Sequence, residues 1–250
     1  MRVLIVYNFE GCKLGHIEAV LGEVGAEIDL VRAHLGEPLP DGPEDHDAIV
    51  VLGGVQHALD DATCSWMPHL SSLMRSFVET DRAVLGICLG SQLLARAYGG
   101  RNIIGGASEF GWRQVNLTQD GVNDPVFRGT PPSFPIFQWH DDTFTLPRRA
   151  VRLATSAEVE NQAFRIGRAG YGMQFHFEAD RSVVSEWNCE FAAWLAENRP
   201  GWTERHAAEA DSLGATADTA GIAIARNWIA TIPRRACPPR LPPPHPANGL

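Results

Sequence analysis

The sequence of 250 residues predicts an α/β protein with a mostly parallel open sheet flanked by helices and a β-rich, irregular second half. In the first half, short apolar segments typical of buried strands alternate with segments of helical periodicity. This alternation implies right-handed crossovers between parallel strands, with helices covering both faces of the sheet. From about Gly111 to Phe177 the pattern changes to short strand-like pieces.

The individual elements are predicted from local patterns along the chain. Four apolar strands are expected in the first half, at Val3–Tyr7, Glu27–Val31, Ala48–Leu52 and Ala83–Ile87. Three helices are expected among them, at His16–Val24, Trp66–Glu79 and Leu89–Tyr98. The second half adds four strand-like pieces, at Gln114–Leu117, Ile136–Trp139, Val151–Ala154 and Gly172–Phe175. A helical pattern returns from Arg181 to Asn198, and its apolar face carries Trp187, Phe191, Trp194 and Leu195.

The composition changes twice beyond Pro200. Glu204–Ile229 is rich in alanine and predicts one or two helices with a break near Gly214 or Gly221. Six prolines follow Pro233, which excludes helix and central strand and predicts a flexible tail. We therefore expect a main domain at residues 1–200, a helical extension packed on it at 201–232, and a Pro-rich flexible tail at 233–250.

Bulk composition excludes several classes of function. The chain is 44% hydrophobic and 20% charged, as expected of a soluble globular protein. A net charge of −9 without a cluster of Lys and Arg argues against binding to nucleic acid or to an anionic membrane surface. The five cysteines are scattered and odd in number, without the spacing of a metal site, which favours free thiols in a reducing compartment. No segment is long enough to span a membrane, so a cytoplasmic location is expected.

The segment Gly86-Ile87-Cys88-Leu89-Gly90 is the most informative in the chain. It joins an apolar strand to a helical pattern, and a Gly-x-Cys-x-Gly at such a turn has the form of a nucleophile elbow. The glycines permit a sharp turn that exposes the central side chain, while the start of the next helix favours a thiolate. A buried cysteine at an ordinary turn is the alternative explanation for this segment alone.

A second segment, Met173–Glu178, carries His176 and Glu178 two positions apart in an apolar, strand-like run. On a strand this spacing directs both side chains to the same face. A carboxylate beside an imidazole fixes its tautomer and stabilises its protonated form, which suits a Cys–His–Glu relay with Cys88. Taken alone, His176 is better explained as a hydrogen-bonded core histidine.

A third segment is the glycine pair Gly53-Gly54 at the end of an apolar strand. Glycines in this position allow backbone N–H groups to approach a ligand closely. One such N–H group and that of Leu89 would suit an oxyanion hole. A plain strand-ending turn explains the pair equally well when it is considered alone.

Together the three segments resemble the class I (triad) glutamine amidotransferases, most closely the stand-alone members related to the amidotransferase domain of GMP synthase. The family's elbow, G-x-C-x-G-x-Q, is matched by Gly86–Gln92, and its F-H-x-E segment is matched by Phe175–Glu178. Leu52–Gly54 matches its glycine-pair loop. Two further stretches, E-x-G-W and W-H-x-D-T, are matched by Glu109–Trp112 and Trp139–Thr143.

The resemblance implies a flavodoxin-like class I amidotransferase fold, with residues 1–200 as the catalytic domain, and a thiol mechanism without cofactor or metal. Cys88 would attack the γ-carboxamide of glutamine, with His176 as acid and base and Glu178 orienting it. The oxyanion hole would comprise the N–H groups of Leu89 and Gly54, with Gly53 as the near alternative. Residues expected to contact or line the substrate are Gln92, Glu109, Gly111, Trp112 and His140.

This sequence departs from many family members at two positions, Phe177 in place of proline and Val55 in place of proline. Neither side chain takes part in the chemistry, so the departures bear on subfamily and acceptor. No ATP-binding signature follows the amidotransferase segments, so an ammonia-accepting synthetase would be a separate partner. Two alternatives stay open: a γ-glutamyl peptide or amide hydrolase that needs no synthetase, and a silent binding or regulatory module with the same fold.

Overall fold

The computed structural model describes residues 1–233. Its eleven strands are β1 (Arg2–Tyr7), β2 (Glu27–Arg32), β3 (Ala48–Val51), β4 (Ala83–Ile87), β5 (Asn102–Ile103), β6 (Glu109–Leu117), β7 (Ser133–His140), β8 (Thr143–Phe144), β9 (Ala150–Thr155), β10 (Ala163–Ile166) and β11 (Gly170–Met173). The eight α-helices are α1 (His16–Glu23), α2 (Met67–Glu79), α3 (Leu89–Ala97), α4 (Gln119–Asn123), α5 (Arg181–Glu190), α6 (Ala192–Asn198), α7 (Trp202–Glu209) and α8 (Ala215–Ala230).

Nine of these strands form one sheet in the order β2-β1-β3-β4-β11-β10-β9-β6-β7. The first five strands in this order run parallel, and the pairings beyond β11 are antiparallel. β3 and β4 are fully buried, as expected of strands that helices cover on both faces. The predicted fold class, with a parallel half followed by an irregular β-rich half, is confirmed.

The topology sets the position of the functional segments. β4 lies between β3 and β11, and all three strands point the same way. Their carboxyl ends therefore meet at one edge of the sheet, which is where parallel α/β sheets form their ligand sites. Gly53-Gly54 follows β3, Cys88 follows β4, and His176 and Glu178 follow β11.

The two faces of the sheet carry separate apolar cores. α2 and α3 pack on one face, with Leu70, Phe77 and Leu93 fully buried. α1 and α8 pack together on the other face, where Ile224 and Trp228 are fully buried. Helix α8 therefore lies against the sheet. The division of the chain at residues 200 and 232 stays a prediction, and the predicted tail from Arg234 onward lies outside the described residues.

Some element boundaries differ from those predicted. Strand β6 begins at Glu109 rather than Gln114, and the helical pattern after Arg181 is divided into α5 and α6. A π-helical turn, Ala210–Gly214, joins α7 to α8, and α8 runs through Gly221 without a break. Gly221 serves close packing instead, because a Cβ there would overlap with the carbonyl oxygen of Phe177.

Candidate active site

Cys88 stands on a strained turn between β4 and α3. Its φ is +50° and its ψ is −108°, a backbone conformation that residues other than glycine rarely adopt. The two flanking glycines are needed for this geometry. A Cβ on Gly90 would overlap with the carbonyl oxygen of Val51, and one on Gly86 would overlap with that of Gly90. The Gly-x-Cys-x-Gly pattern is therefore a steric requirement of this turn.

The thiol of Cys88 lies at the sheet edge beside β7 and the end of β11. The backbone N–H of Cys88 donates to the carbonyl of Met173 at 2.8 Å, which connects the elbow to the end of β11. The Sγ atom lies 3.8 Å from the carbonyl oxygen of Trp139 and donates to it. Although Cys88 is only 7% exposed, it lines a cavity of about 360 Å³. The thiol is thus accessible to a ligand inside the cavity.

His176 and Glu178 form a buried pair beside this thiol. Nδ1 of His176 donates to Oε1 of Glu178 at 2.6 Å, and the backbone N–H of His176 donates to the carbonyl of Phe137 at 2.8 Å. Burial lowers the pKa of His176, but the Glu178 carboxylate and the Cys88 thiol outweigh it and raise that pKa to about 10. The Glu178 carboxylate therefore favours the protonated form of His176 beside the sulfur.

Gly53 lies against both Cys88 and His176. A Cβ on Gly53 would lie 3.2 Å from Cε1 of His176 and 3.4 Å from Cβ of Cys88. At Gly54, a Cβ would come within 2.7 Å of Cδ2 of Leu89. The glycine pair thus lies against Cys88, His176 and Leu89 at once, so its backbone is adjacent to the start of α3. An oxyanion hole built from these N–H groups stays a prediction.

The cavity includes most of the residues expected to form the site. Those on its wall are Cys88, His176, Glu178, Gly53, Gly54, Leu89, Gln92 and His140. Gln92 lies one turn into α3 with its amide buried, and its Nε2 donates to Oε1 of Gln174 at 3.2 Å. The expectation that it faces the same space as Cys88 agrees with this geometry. A contact with substrate stays a prediction.

Glu109, Gly111 and Trp112 lie behind the cavity wall rather than on it. The Glu109 carboxylate is buried and accepts from Nε2 of His140, at 3.1 Å, and from Gln162. Gly111 has a φ of +84°, and a Cβ there would lie 3.0 Å from the ring of Trp202. The Trp112 ring packs against the same Trp202 at 5.8 Å. These residues support the wall from the interior. A contact between them and substrate stays a prediction.

His140 reaches the cavity wall with both ring nitrogens engaged. Nδ1 donates to the carbonyl of Asp142 at 2.9 Å, and Nε2 faces the Glu109 carboxylate at 3.1 Å. Both ring nitrogens are therefore engaged by buried acceptor groups. Neither nitrogen is free to take a proton from Cys88. The geometry therefore favours His176 over His140 as the base.

A set of aromatic side chains on the cavity wall was not predicted from the sequence, and we call it the aromatic wall: Phe9, Trp139, Trp187, Phe191 and Trp194. Three of them belong to the apolar helical face recognised in the sequence, but that periodicity does not distinguish a core face from a cavity wall.

Cys12 was missed as well. It lines the cavity, its Sγ donates to the carbonyl of Gly53 at 3.5 Å, and burial raises its pKa to about 12.

Two negative findings apply to residues 1–233. In that range no group of three or more His, Cys, Asp or Glu side chains is arranged to hold a metal ion. None of the helices in the same range combines the length and apolar character needed to cross a membrane.

Comparison with known proteins matches the chain to one family model and to related enzymes. Residues 6–186 match the family model described as glutamine amidotransferase class-I. The chain is 31% identical to gamma-glutamyl peptidase 5 of Arabidopsis thaliana over 176 residues, covering 67% of this chain and 68% of the relative. It is 28% identical to one subunit of the glutamine-hydrolyzing GMP synthase of Natronomonas pharaonis over 190 residues, covering 74% of this chain and 92% of the relative.

Among solved structures, a glutamine amidotransferase from Thermotoga maritima superposes with a TM-score of 0.79 at 30% identity. The superposition covers 93% of this chain and 97% of that one. The first curated relatives are matched over about two thirds of their length, 66–69%.

Proposed function

Because the chain belongs to the class I glutamine amidotransferase family, we propose that it hydrolyses the γ-carboxamide of glutamine through a Cys88–His176–Glu178 triad. The ammonia released would serve a separate acceptor enzyme. The observation that carries the proposal is the convergence of three chain segments at one sheet edge. The strained cysteine of the elbow, the His–Glu pair and the glycine pair all line one cavity there.

In the proposed reaction, the Cys88 sulfur attacks the carbonyl carbon of the carboxamide. The C–N bond then breaks, and His176 gives its proton to the departing ammonia, which leaves a γ-glutamyl thioester. A water molecule attacks the thioester while His176 accepts a proton, and glutamate is released with the thiol restored. Glu178 acts through His176, whose Nδ1–H it holds at 2.6 Å.

The oxyanion of each tetrahedral intermediate would be stabilised by the N–H groups of Leu89 and Gly54. The first N–H groups of a helix have no partner within it, and Leu89 is the first residue of α3. Removing one donor of this type typically costs about 3 kcal/mol of transition-state stabilisation.

The proposal that a separate synthetase accepts the ammonia is supported by one relative. The matched GMP synthase chain of Natronomonas pharaonis is by its name one part of a larger enzyme, and the match spans 92% of it. We propose an arrangement of the same kind for this chain.

A second candidate function is hydrolysis of γ-glutamyl peptides or amides, in which an amine leaves instead of ammonia. Two observations favour it: the 31% identity to a gamma-glutamyl peptidase and the aromatic wall beside the thiol. The same triad would carry out both reactions. A catalytically silent binding or regulatory module is less well supported, since Cys88, His176 and Glu178 are all present and adjacent.

The proposal is tested by glutamate release from glutamine and from a panel of γ-glutamyl peptides, together with covalent trapping by a diazoketone analogue of glutamine. We expect glutamate release, and a single adduct that peptide mass spectrometry maps to Cys88. Preferential turnover of glutamine supports the ammonia-producing reaction, and preferential turnover of peptides supports the second candidate. Neither turnover nor adduct would favour the silent module.

Glu178→Gln is expected to move the alkaline limb of the pH profile of kcat/KM to lower pH. That limb reports loss of the His176 proton, which the leaving group needs. The substitution removes the charge that raises the pKa of His176 to about 10 but keeps the burial that lowers it, so the pKa falls. The measurement is kcat/KM for both proteins across the alkaline range, and an unmoved limb would contradict the role given to Glu178.

The same proton links stability to pH. Because folding raises the pKa of His176 above the ordinary histidine value of 6.5, protonation of His176 stabilises the folded state below pH 6.5. This stabilisation is lost as the pH rises toward about 10. In Glu178→Gln this loss occurs at lower pH. Chemical denaturation at several pH values measures the free energy of unfolding of the variant, with the wild-type chain as the reference.

A further inference from the structure

The aromatic wall lies on a defined side of the reacting atoms. The Trp187 ring contacts His176 edge to face, with ring centroids 5.4 Å apart. The backbone carbonyl of Trp139 accepts a hydrogen bond from the Cys88 thiol. Beyond them, Phe191 and Trp194 pack on Trp139 at 5.3 and 5.6 Å. The wall therefore starts at the triad and extends away from it toward solvent, where Trp194 is 37% exposed.

His176 determines which part of a substrate meets this wall. In an amide substrate, the nitrogen that leaves must lie within hydrogen-bond reach of the imidazole that protonates it. Any group attached to that nitrogen then extends from His176 along Trp187 toward Trp194. The glutamyl part must reach in another direction, and the buried amide of Gln92, which is not part of the aromatic wall, also lines the cavity. The wall is thus on the leaving-group side.

The rings of the wall are held in place by one another and by a charged residue. Trp139 meets Trp187 edge to face, with centroids 5.8 Å apart and planes at 80°. The guanidinium of Arg199 lies 5.2 Å from the Trp194 ring centroid, and its Nη2 pairs with Asp141 at 3.0 Å. Aromatic surface fixed before binding loses little conformational entropy when a ligand arrives. Release of ammonia alone would leave this surface unused.

The chemistry of the wall selects among possible leaving groups. Aromatic rings packed edge to face offer the geometry that another aromatic ring prefers, with centroids roughly 4.5–7 Å apart. A cationic substituent on the leaving group would have to compete with Arg199, whose guanidinium already lies over the Trp194 ring and pairs with Asp141. An uncharged aromatic substituent fits both conditions.

We propose that the aromatic wall is a leaving-group subsite and that the preferred substrates are γ-glutamyl amides whose amine bears an aromatic ring, such as γ-glutamylphenylalanine. The inference rests on the second candidate function above, hydrolysis of γ-glutamyl amides by the same thiol mechanism. Cys88 forms the C–S bond, and the C–N bond breaks with the proton of His176 going to the amine. Water then supplies the oxygen of glutamate. One water molecule is consumed and one amine is released for each amide.

The test compares kcat/KM of the purified chain for γ-glutamylphenylalanine and γ-glutamylglycine, which differ by the aromatic side chain. Burying a phenylalanine side chain predicts a preference of about 10-fold or more for the first. Trp194→Ala is expected to lower this ratio several-fold. Because Trp194 is partly exposed, the variant keeps the buried core intact. Leu35→Ala, an exposed residue remote from the cavity, serves as the control and should leave the ratio unchanged.

Two results would overturn the proposal without affecting the thiol mechanism. One is equal kcat/KM for the two peptides in the wild-type chain. The other is turnover of glutamine, dependent on Cys88, with neither peptide hydrolysed. A preference for the aromatic peptide that Trp194→Ala leaves unchanged would overturn the assignment to this wall. Failure of the diazoketone to label Cys88, together with no turnover of any substrate, would refute the proposed function itself.

Discussion

Replacement of Cys88 by alanine is expected to abolish glutamate release, lowering kcat/KM by at least ~10⁴-fold with either glutamine or a γ-glutamyl peptide. Without the sulfur no thioester forms, and the remaining groups can only orient substrate and polarise its carbonyl. The loss concerns chemistry and not folding, since alanine removes a single atom from a side chain that lines the cavity. Stopped assays of glutamate and covalent labelling measure the effect.

The control for this experiment is Cys189→Ala. Cys189 is the exposed free cysteine of α5, away from the cavity wall. It should keep full activity and full labelling of Cys88 by the diazoketone. If Cys88→Ala retained substantial turnover while its folding was unchanged, Cys88 would not be the nucleophile.

Gly90→Ala is expected to cause a large loss of stability. The added Cβ would overlap with the carbonyl oxygen of Val51 in buried β3, and neither backbone can yield without disturbing the β3–β4 pairing. Such overpacking costs about 3 kcal/mol or more. The free energy of unfolding, measured by urea denaturation, should fall by that amount. The activity of the folded fraction should fall as well, because the elbow must shift.

Gly22→Ala provides a matched control within helix α1. A Cβ at Gly22 meets no heavy atom within 4 Å, so the methyl group adds no strain. Alanine in a helix is favoured over glycine by about 0.5–1 kcal/mol, and this variant should be slightly more stable than the wild-type chain. An unfolding midpoint for Gly90→Ala equal to that of the wild type would contradict the steric role of the elbow glycine.

The parts of the fold predictable from sequence were those governed by local rules. Strands such as β3 and β4 are continuous apolar runs, and the elbow is a steric pattern of two glycines around Cys88. His176 and Glu178 pair as expected from their closeness in sequence, although both lie beyond the end of β11 and the strand-like run predicted there is not a strand. These predictions need no knowledge of distant residues.

Other features depend on contacts between distant parts of the chain. Gly111 and Trp112 pack against Trp202 of α7, which is far away in sequence. The Glu109 carboxylate is held by His140 and Gln162, which also belong to other elements. The aromatic wall draws residues from the loop after β1, from β7 and from α5 with α6. Such a surface exists only after folding, so periodicity within one helix cannot reveal it.

The parallel pairing of β4 with β11 has a kinetic consequence. The strand that precedes Cys88 and the strand that precedes His176 are neighbours in space, but the antiparallel half of the sheet lies between them in sequence. Contacts between residues so far apart form slowly, because a long loop must close before they yield any stabilisation. If the proposed mechanism holds, recovery of activity during refolding reports completion of the central sheet, and no fragment that ends before β11 contains both Cys88 and His176.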